Sequence, residues 1–294
     1  MQVTEGYMPF LEYQTYYRIV GDIKQDKAPL LLLHGGPGST HNYFEVMDEL
    51  ANEGRAIISY DQLGCGLSKT PSRPDLWKAR TWLDELEALR KYLNLQEVHL
   101  LGQSWGGMLA IEYLCDEKPT GVKSVVLAST LASNKLWERE QRRLITFLPE
   151  KYQEAIQKAD ESGVYAGDAY DEAIDFYMNR HCDDTVPKDD APECIRRPKV
   201  KGTESYTVAW GPNEFSPLGT LKNHEYLEKL ADVDTPALVT SGINDICTPV
   251  DAKAMYDRFP NSEWELFEYS RHMSFVEEHE KYMKVLSNWL NKND

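Results

Sequence analysis

The sequence predicts an α/β protein with a mostly parallel β-sheet that is covered by helices on both faces. Candidate strands alternate with candidate helices near both ends of the chain. Several of these strands are continuously apolar, which is typical of parallel strands buried on both faces. The chain has 294 residues, of which 41% are apolar. It is therefore long enough for one large domain, or for one domain with an insertion.

Most of the strand signals lie in the first 130 residues. Short runs rich in aliphatic, β-branched and aromatic residues predict strands at 13–20, 28–33, 55–60, 98–101 and 122–128. Between the third and fourth of these runs, Trp82, Leu86 and Leu93 fall on one face of a predicted helix. A second helix is predicted at 107–115.

The pattern changes near Leu131. From 133 to 229 the chain is dominated by acids, bases and aromatics at helical spacing, with breakers such as Gly163 between the helical stretches. No buried strand is predicted in this region. We therefore interpret residues 131–232 as a helical insertion into the sheet domain.

Strand signals return after the insertion. Residues 235–242 and 264–268 predict the last two strands, and 282–290 predict a closing helix. The predicted organisation is therefore an α/β core made of residues 1–130 and 233–294, which the helical insertion interrupts.

Composition and charge narrow the function classes. The formal net charge is −16, so we expect no nucleic-acid partner, because binding to phosphates requires a basic surface. Anionic membrane surfaces are disfavoured for the same reason. The longest aliphatic run, Leu30–Leu33, is too short to span a bilayer, and the first ten residues lack the pattern of a secretory signal.

The cysteines are few and scattered. They form an odd set without a Cys-x-x-Cys pair: Cys65, Cys115, Cys182, Cys194 and Cys247. This pattern argues against a disulfide framework and against a zinc site. We expect a protein of the reducing cytoplasm without a metal or other cofactor.

A Gly-x-Ser-x-Gly motif is the first candidate for chemistry. Residues 102–106 read Gly-Gln-Ser-Trp-Gly, directly after the predicted strand at 98–101. A serine between two such glycines can occupy a strained strand-to-helix turn that projects its hydroxyl into a site. Ser104 is therefore a candidate nucleophile.

A serine nucleophile needs a base that is oriented by a third group. In a parallel sheet, catalytic residues gather at the carboxyl ends of the strands. Asp245 follows the penultimate predicted strand and His272 follows the last one. The chain order Ser104, Asp245, His272 is the order expected of an α/β-hydrolase.

An acyl-transfer site also needs donors for the tetrahedral oxyanion. The backbone N–H of Trp105, directly after the nucleophile, is one candidate. The second is expected in the glycine loop at 34–38, where side-chain-free Gly35 and Gly36 allow close approach to a substrate. Of these two glycines we favour Gly36 as the donor and expect Gly35 to contact the substrate.

Four segments together carry a family resemblance. They are His-Gly-Gly-Pro-Gly at 34–38, Asp-Gln-Leu-Gly-Cys-Gly at 61–66, Gly-Gln-Ser-Trp-Gly-Gly at 102–107 and Gly-Pro-Asn-Glu-Phe at 211–215. With them the chain resembles the proline iminopeptidase (prolyl aminopeptidase) family of serine peptidases, in particular its lactobacillus-type members. The resemblance implies an α/β-hydrolase core, a helical cap at 131–232, and metal-free release of an N-terminal residue, preferentially proline, from short peptides with a free N-terminus.

The resemblance also implies that an acidic cap residue binds the free amino terminus of the substrate, and the motif match places this role on Glu214. Such a carboxylate in a closed pocket would exclude peptides that carry a further residue on the N-terminal side of the one to be released. An apolar pocket for the proline ring could draw on Trp105, Phe147, Tyr206 or Trp210.

One position departs from the family pattern. Some members carry a second acid directly after the catalytic aspartate, where this chain has Ile246. The amine is therefore expected to be held by fewer charges or by another cap acid, and proline preference could be less strict.

The alternatives are an amino-acid amidase or esterase of the same fold with broader acyl specificity, and a non-catalytic ligand receptor. The sequence does not predict the oligomeric state.

Overall fold

A single eight-stranded sheet forms the centre of the protein. The computed structural model describes residues 2–184 and 187–294. In the described residues the strands are β1 (Val3–Phe10), β2 (Tyr13–Val20), β3 (Leu30–Leu33), β4 (Ile57–Tyr60), β5 (Val98–Gln103), β6 (Val122–Ala128), β7 (Ala237–Gly242) and β8 (Ser262–Phe267). Their spatial order is β1-β2-β4-β3-β5-β6-β7-β8.

The sheet is parallel from β4 through β8, while β1 and β2 are antiparallel additions at one edge. This arrangement confirms the predicted α/β class. The sequence pattern did not predict β1. Most of its side chains are exposed and it pairs only with β2, so burial imposes little apolar pattern on it.

Apolar side chains alternate between the two faces of the central strands, as the pleat requires. Leu31 and Leu33 pack on one face in a core cluster that contains Trp82. Leu30 and Leu32 pack on the other face in a second core cluster. Both faces are therefore buried, which explains why β3 is continuously apolar.

Helices supply the two outer layers and the region between β6 and β7. The α-helices are α1 (Ala79–Tyr92), α2 (Trp105–Glu112), α3 (Asn134–Ile145), α4 (Glu150–Ser162), α5 (Asp168–His181), α6 (Glu193–Arg196), α7 (Thr203–Ala209), α8 (Pro249–Tyr256), α9 (Ser274–Glu277) and α10 (His279–Lys292). The more tightly wound 3₁₀ segments cover His41–Glu53, Gly66–Ser68 and Leu227–Asp232, and a π-helical turn covers Tyr113–Glu117.

The segment between β6 and β7 contains helices α3 to α7 and, in its described part, no strand of the sheet. An isolated bridge joins Ser133 to Glu225 near the two ends of this segment. Trp137, Tyr177 and Phe215 belong to the same core cluster as Trp82. The helical segment is thus packed directly on the sheet domain.

None of the helices in residues 2–184 and 187–294 has the length and apolar character needed to cross a membrane. The five cysteines are all unpaired thiols, and four of them are buried.

Candidate active site

Ser104 occupies a sharp turn between β5 and α2. Its backbone has φ +55° and ψ −123°, a conformation that non-glycine residues adopt only under constraint. The flanking glycines make the turn possible. A Cβ on Gly102 would lie 2.2 Å from the carbonyl oxygen of Gly106, and one on Gly106 would lie 1.9 Å from that of Leu33. Since neither position has room for a side chain, the motif is required by packing.

Asp245 and His272 meet at the ends of neighbouring strands. Asp245 follows β7 and His272 follows β8. The Nδ1–H of His272 donates to Oδ1 of Asp245 at 2.8 Å, because an ionised carboxylate can only accept. The backbone N–H of Cys247 donates to the same carboxylate at 2.8 Å. Both side chains are buried, so the imidazole is held in one tautomer with Nε2 free to accept a proton.

Charge around His272 acts on its basicity. Burial by itself would lower the pKa of His272, but the carboxylate of Asp245, and further away those of Glu214 and Asp183, outweigh burial and raise this pKa above its ordinary value. The imidazole is therefore a stronger base than a free histidine.

The loop after β3 approaches the same site. The N–H of Gly35 donates to the hydroxyl of Tyr43 at 2.6 Å, and that hydroxyl donates to the side chain of Gln103 at 2.9 Å. Gly35 is therefore already engaged, while Gly36, with φ +116°, lines the cavity beside it. This geometry favours Gly36 over Gly35 as an oxyanion donor.

Trp105 is the first residue of α2. The first backbone N–H groups of a helix have no partner within the helix, so the N–H of Trp105 is available beside Ser104. Its side chain points elsewhere: the indole Nε1–H donates to Gln62 at 2.7 Å, and the ring is buried.

A cavity of about 650 Å³ joins these groups. Gly35, Gly36, Ser104 and His272 line it from the sheet domain, and Glu214 lines it from the helical segment. The structure thus brings together five of the residues selected from the sequence.

Glu214 is held firmly at the wall of this cavity. Its carboxylate accepts a hydrogen bond from the hydroxyl of Tyr206 at 2.7 Å. Its backbone carbonyl accepts from the indole N–H groups of Trp137 and Trp210 at 3.0 and 3.1 Å. Desolvation raises the pKa of Glu214, although the Tyr206 hydroxyl opposes this effect. A cation in the cavity would restore the charged form and gain a strong partner.

Three of the four aromatics suggested for the apolar pocket do not line the cavity. Tyr206 does, but the side chain of Phe147 is on the surface, 60% exposed. The indoles of Trp105 and Trp210 are buried outside the cavity and bonded to Gln62 and Glu214. The indole of Trp210 holds the backbone of Glu214.

Other lining residues were not selected from the sequence as site residues. Tyr170, Ile174 and Met178 recur every four residues along α5 and line the cavity with apolar surface, as does Phe215. The helical spacing of Tyr170 and Ile174 was a visible signal. It did not indicate which face would meet the substrate, because this depends on how α5 packs.

Asp245, Cys247 and His272 are the one group in the described part of the chain that offers three possible metal ligands within 4.8 Å of one another. The atoms that could bind a metal already form hydrogen bonds with protein groups. The imidazole is bonded to Asp245, and the thiol of Cys247 donates to the carbonyl of Ser129 at 3.0 Å. The arrangement fits a hydrogen-bonded catalytic pair better than a metal centre, and a metal-free site stays our prediction.

The fold and the Ser104 turn define the class of protein. A family model for the alpha/beta hydrolase fold matches residues 28–279, and the chain is an α/β hydrolase. The chain is also 63% identical to a proline iminopeptidase of Clostridium botulinum over 294 residues, which are 100% of both proteins. Its identity to a proline iminopeptidase of Levilactobacillus brevis is 55%, over 100% of this chain and 98% of the relative. The chain therefore belongs to the proline iminopeptidase family, as its motifs predicted.

Two solved structures share the fold over nearly the whole chain. The crystal structure of a proline iminopeptidase from Mycobacterium smegmatis superposes with a TM-score of 0.85 at 30% identity and covers 99% of this chain and 98% of that one. The crystal structure of VinJ gives a TM-score of 0.90 at 34% identity over 99% of each chain.

Proposed function

We propose that this protein is a serine aminopeptidase that releases an N-terminal residue, preferentially proline, from short peptides. One observation carries the proposal. The cavity that contains Ser104 and His272 also contains a fixed carboxylate, Glu214. A nucleophile and an ammonium-binding group that line one cavity are what an aminopeptidase needs.

In the proposed mechanism the hydroxyl of Ser104 attacks the carbonyl carbon of the first residue, and Nε2 of His272 takes its proton. The N–H groups of Gly36 and Trp105 stabilise the tetrahedral oxyanion. When the intermediate collapses, the C–N bond breaks and His272 returns the proton to the leaving amine. Water then hydrolyses the acyl-enzyme with His272 as the base, which regenerates Ser104.

Asp245 does not exchange a proton in this scheme. Its carboxylate holds the imidazole through the 2.8 Å bond to Nδ1 and stabilises the imidazolium that forms in each half-reaction. The N–H of Cys247 in turn orients the carboxylate.

Glu214 supplies specificity. The ammonium of an N-terminal residue would face its carboxylate, and an acylated N-terminus would leave that carboxylate unpaired in a desolvated wall. The apolar surface of Tyr206 and Phe215 beside it suits a pyrrolidine ring. We further propose that residues 131–232 act as a cap that closes this pocket over a core formed by 1–130 and 233–294.

The function is tested with prolyl, alanyl and leucyl anilides, acetyl-prolyl anilide and a simple ester. We expect the prolyl anilide to be cleaved fastest and the acetylated substrate slowest. Comparable rates on the other free aminoacyl anilides would indicate a broader amidase, and faster ester cleavage would indicate an esterase. Wild-type protein that binds a prolyl ligand without turnover would indicate a receptor.

A further inference from the structure

Glu214 is not the only acid in the cavity. Asp171 and Asp175 on α5, and Asp183 just beyond its end, also line the wall. All three side chains are exposed, so exposure alone does not distinguish them.

The backbone around Asp183 is tied to both loops that carry the catalytic pair. The N–H of Ile246, next to Asp245, donates to the carbonyl of His181 at 2.8 Å, and the N–H of His272 donates to the carbonyl of Cys182 at 3.2 Å. Asp183 therefore follows two residues whose positions are set by the catalytic loops.

A second anchor lies on the other side of Asp183, where the guanidinium of Arg271 donates to the side chain of Asp184 at 3.1 Å. The same guanidinium donates to the carbonyl of Asn179, near the end of α5, at 2.7 Å. Asp183 lies between these anchors, at the place where the cavity wall meets the histidine loop. Asp171 and Asp175 lie further back along α5.

The charge of Asp183 reaches the reacting groups. It contributes to the raised pKa of His272 and, after desolvation, to the raised pKa of Glu214. Asp171 and Asp175 are not among the main causes of either shift. Of the three additional acids that line the cavity, Asp183 is thus the one whose negative charge acts on the pKa of both His272 and Glu214.

The residue directly after Asp245 is Ile246, which carries no charge and cannot act as a second acid. Ile246 is 2% exposed and belongs to the apolar core cluster, and its carbonyl accepts from Gln141 at 2.8 Å. Its side chain is packed away from the cavity that Glu214 lines.

We propose that Asp183 is the second acid of the amino-terminus site and acts with Glu214 to attract and hold the ammonium group of the substrate. This inference rests on the proposed function. Glu214 forms the close contact within the wall, while Asp183 acts from the rim through a longer, partly hydrated interaction. Two carboxylates facing one ammonium select free-amine substrates more strongly than one does.

The test compares prolyl anilide with cyclopentanecarbonyl anilide, in which a methylene replaces the ring nitrogen. Asp183→Asn should reduce kcat/KM for the prolyl substrate by about fivefold at low ionic strength, because a partly exposed ion pair contributes about 1 kcal/mol. The loss should shrink in high salt. At a pH well above the pKa of His272, where the imidazole is neutral in both proteins, hydrolysis of the neutral substrate should stay unchanged. Asp183→Glu should retain most of the prolyl activity.

Asp175→Asn is the matched control, since it removes the same charge from an exposed acid on the same wall. It should leave both substrates unchanged. Equal losses in Asp183→Asn and Asp175→Asn, or equal losses on both substrates, would overturn the role of Asp183. If the wild-type enzyme does not prefer the prolyl over the neutral substrate, the proposed function itself fails, whatever the variants show.

Discussion

Replacing Glu214 with glutamine removes one negative charge from the cavity wall and little else. The amide has nearly the same volume, and its oxygen can still accept the 2.7 Å hydrogen bond from Tyr206. The two indole bonds to the backbone carbonyl of residue 214 do not involve the side chain. The variant removes the attraction between the carboxylate and a substrate ammonium. It also removes a charge that raises the pKa of His272, so the two proteins are compared at a pH where the imidazole is neutral in both.

The size of this attraction follows from the position of the carboxylate. Truncating one partner of a desolvated charge pair costs about 2–5 kcal/mol. The side chain of Glu214 is neither fully buried nor fully exposed, so the lower part of this range applies. A loss of about 2–3 kcal/mol corresponds to about a 30- to 150-fold decrease in kcat/KM.

The assay is steady-state hydrolysis of prolyl anilide and cyclopentanecarbonyl anilide by wild-type and Glu214→Gln protein. The decrease should appear on the prolyl substrate, whereas the neutral one should change less than about threefold, since it has no charge to lose. Thermal unfolding of both proteins serves as the folding control. An equal decrease on both substrates would refute the reasoning and assign Glu214 a structural role.

Three further predictions test the reaction and the turn. Ser104→Ala should lower kcat by at least about 10⁴-fold without unfolding the protein, as measured by anilide hydrolysis and circular dichroism; unchanged activity would remove the mechanism. The kcat/KM profile should fall as pH drops through the raised pKa of His272, since only the neutral imidazole is a base. Asp183→Asn should shift this fall in kcat/KM to lower pH, because it removes a negative charge that raises the pKa of His272. An unchanged pH profile would contradict the effect of Asp183 on His272. Gly106→Ala should destabilise the fold by at least about 2 kcal/mol in urea unfolding, because its Cβ would lie 1.9 Å from the Leu33 carbonyl oxygen; wild-type stability would show that the turn can relax.

The sheet was largely predictable because its strands are buried on both faces. Predicted strands at 28–33 and 122–128 correspond to β3 and β6, where burial leaves an uninterrupted apolar run. The edge strand β1 was missed, since exposure leaves no such run. Helix α2 begins at Trp105, before the predicted start at 107, because two glycines that weaken the local helix signal are required there for close packing.

The pocket was much less predictable than the sheet. The sequence suggested four aromatics, of which only Tyr206 lines the cavity. Aromatic residues of a helical segment are equally suited to the core and to a binding wall, and Trp210 in fact fixes the backbone of Glu214. Composition and spacing cannot separate these two uses.

The sequence by itself was enough to select the candidate reacting groups. Ser104, Asp245 and His272 each follow a strand, and because parallel strands bring their carboxyl ends to one edge of a sheet, chain order was enough to select them. Tertiary structure alone decided what faces them. Asp183 lies just after α5, Tyr206 lies on α7 and Glu214 lies in the turn after α7. The placement of these segments depends on contacts between distant parts of the chain, such as the bonds from the loops of Asp245 and His272 to the end of α5. The motif at 211–215 pointed to Glu214 through the family resemblance. No local pattern encodes the contacts between segments, however, so the cavity that joins Glu214 to Ser104, and the place of Asp183 in its wall, became visible only in the folded protein.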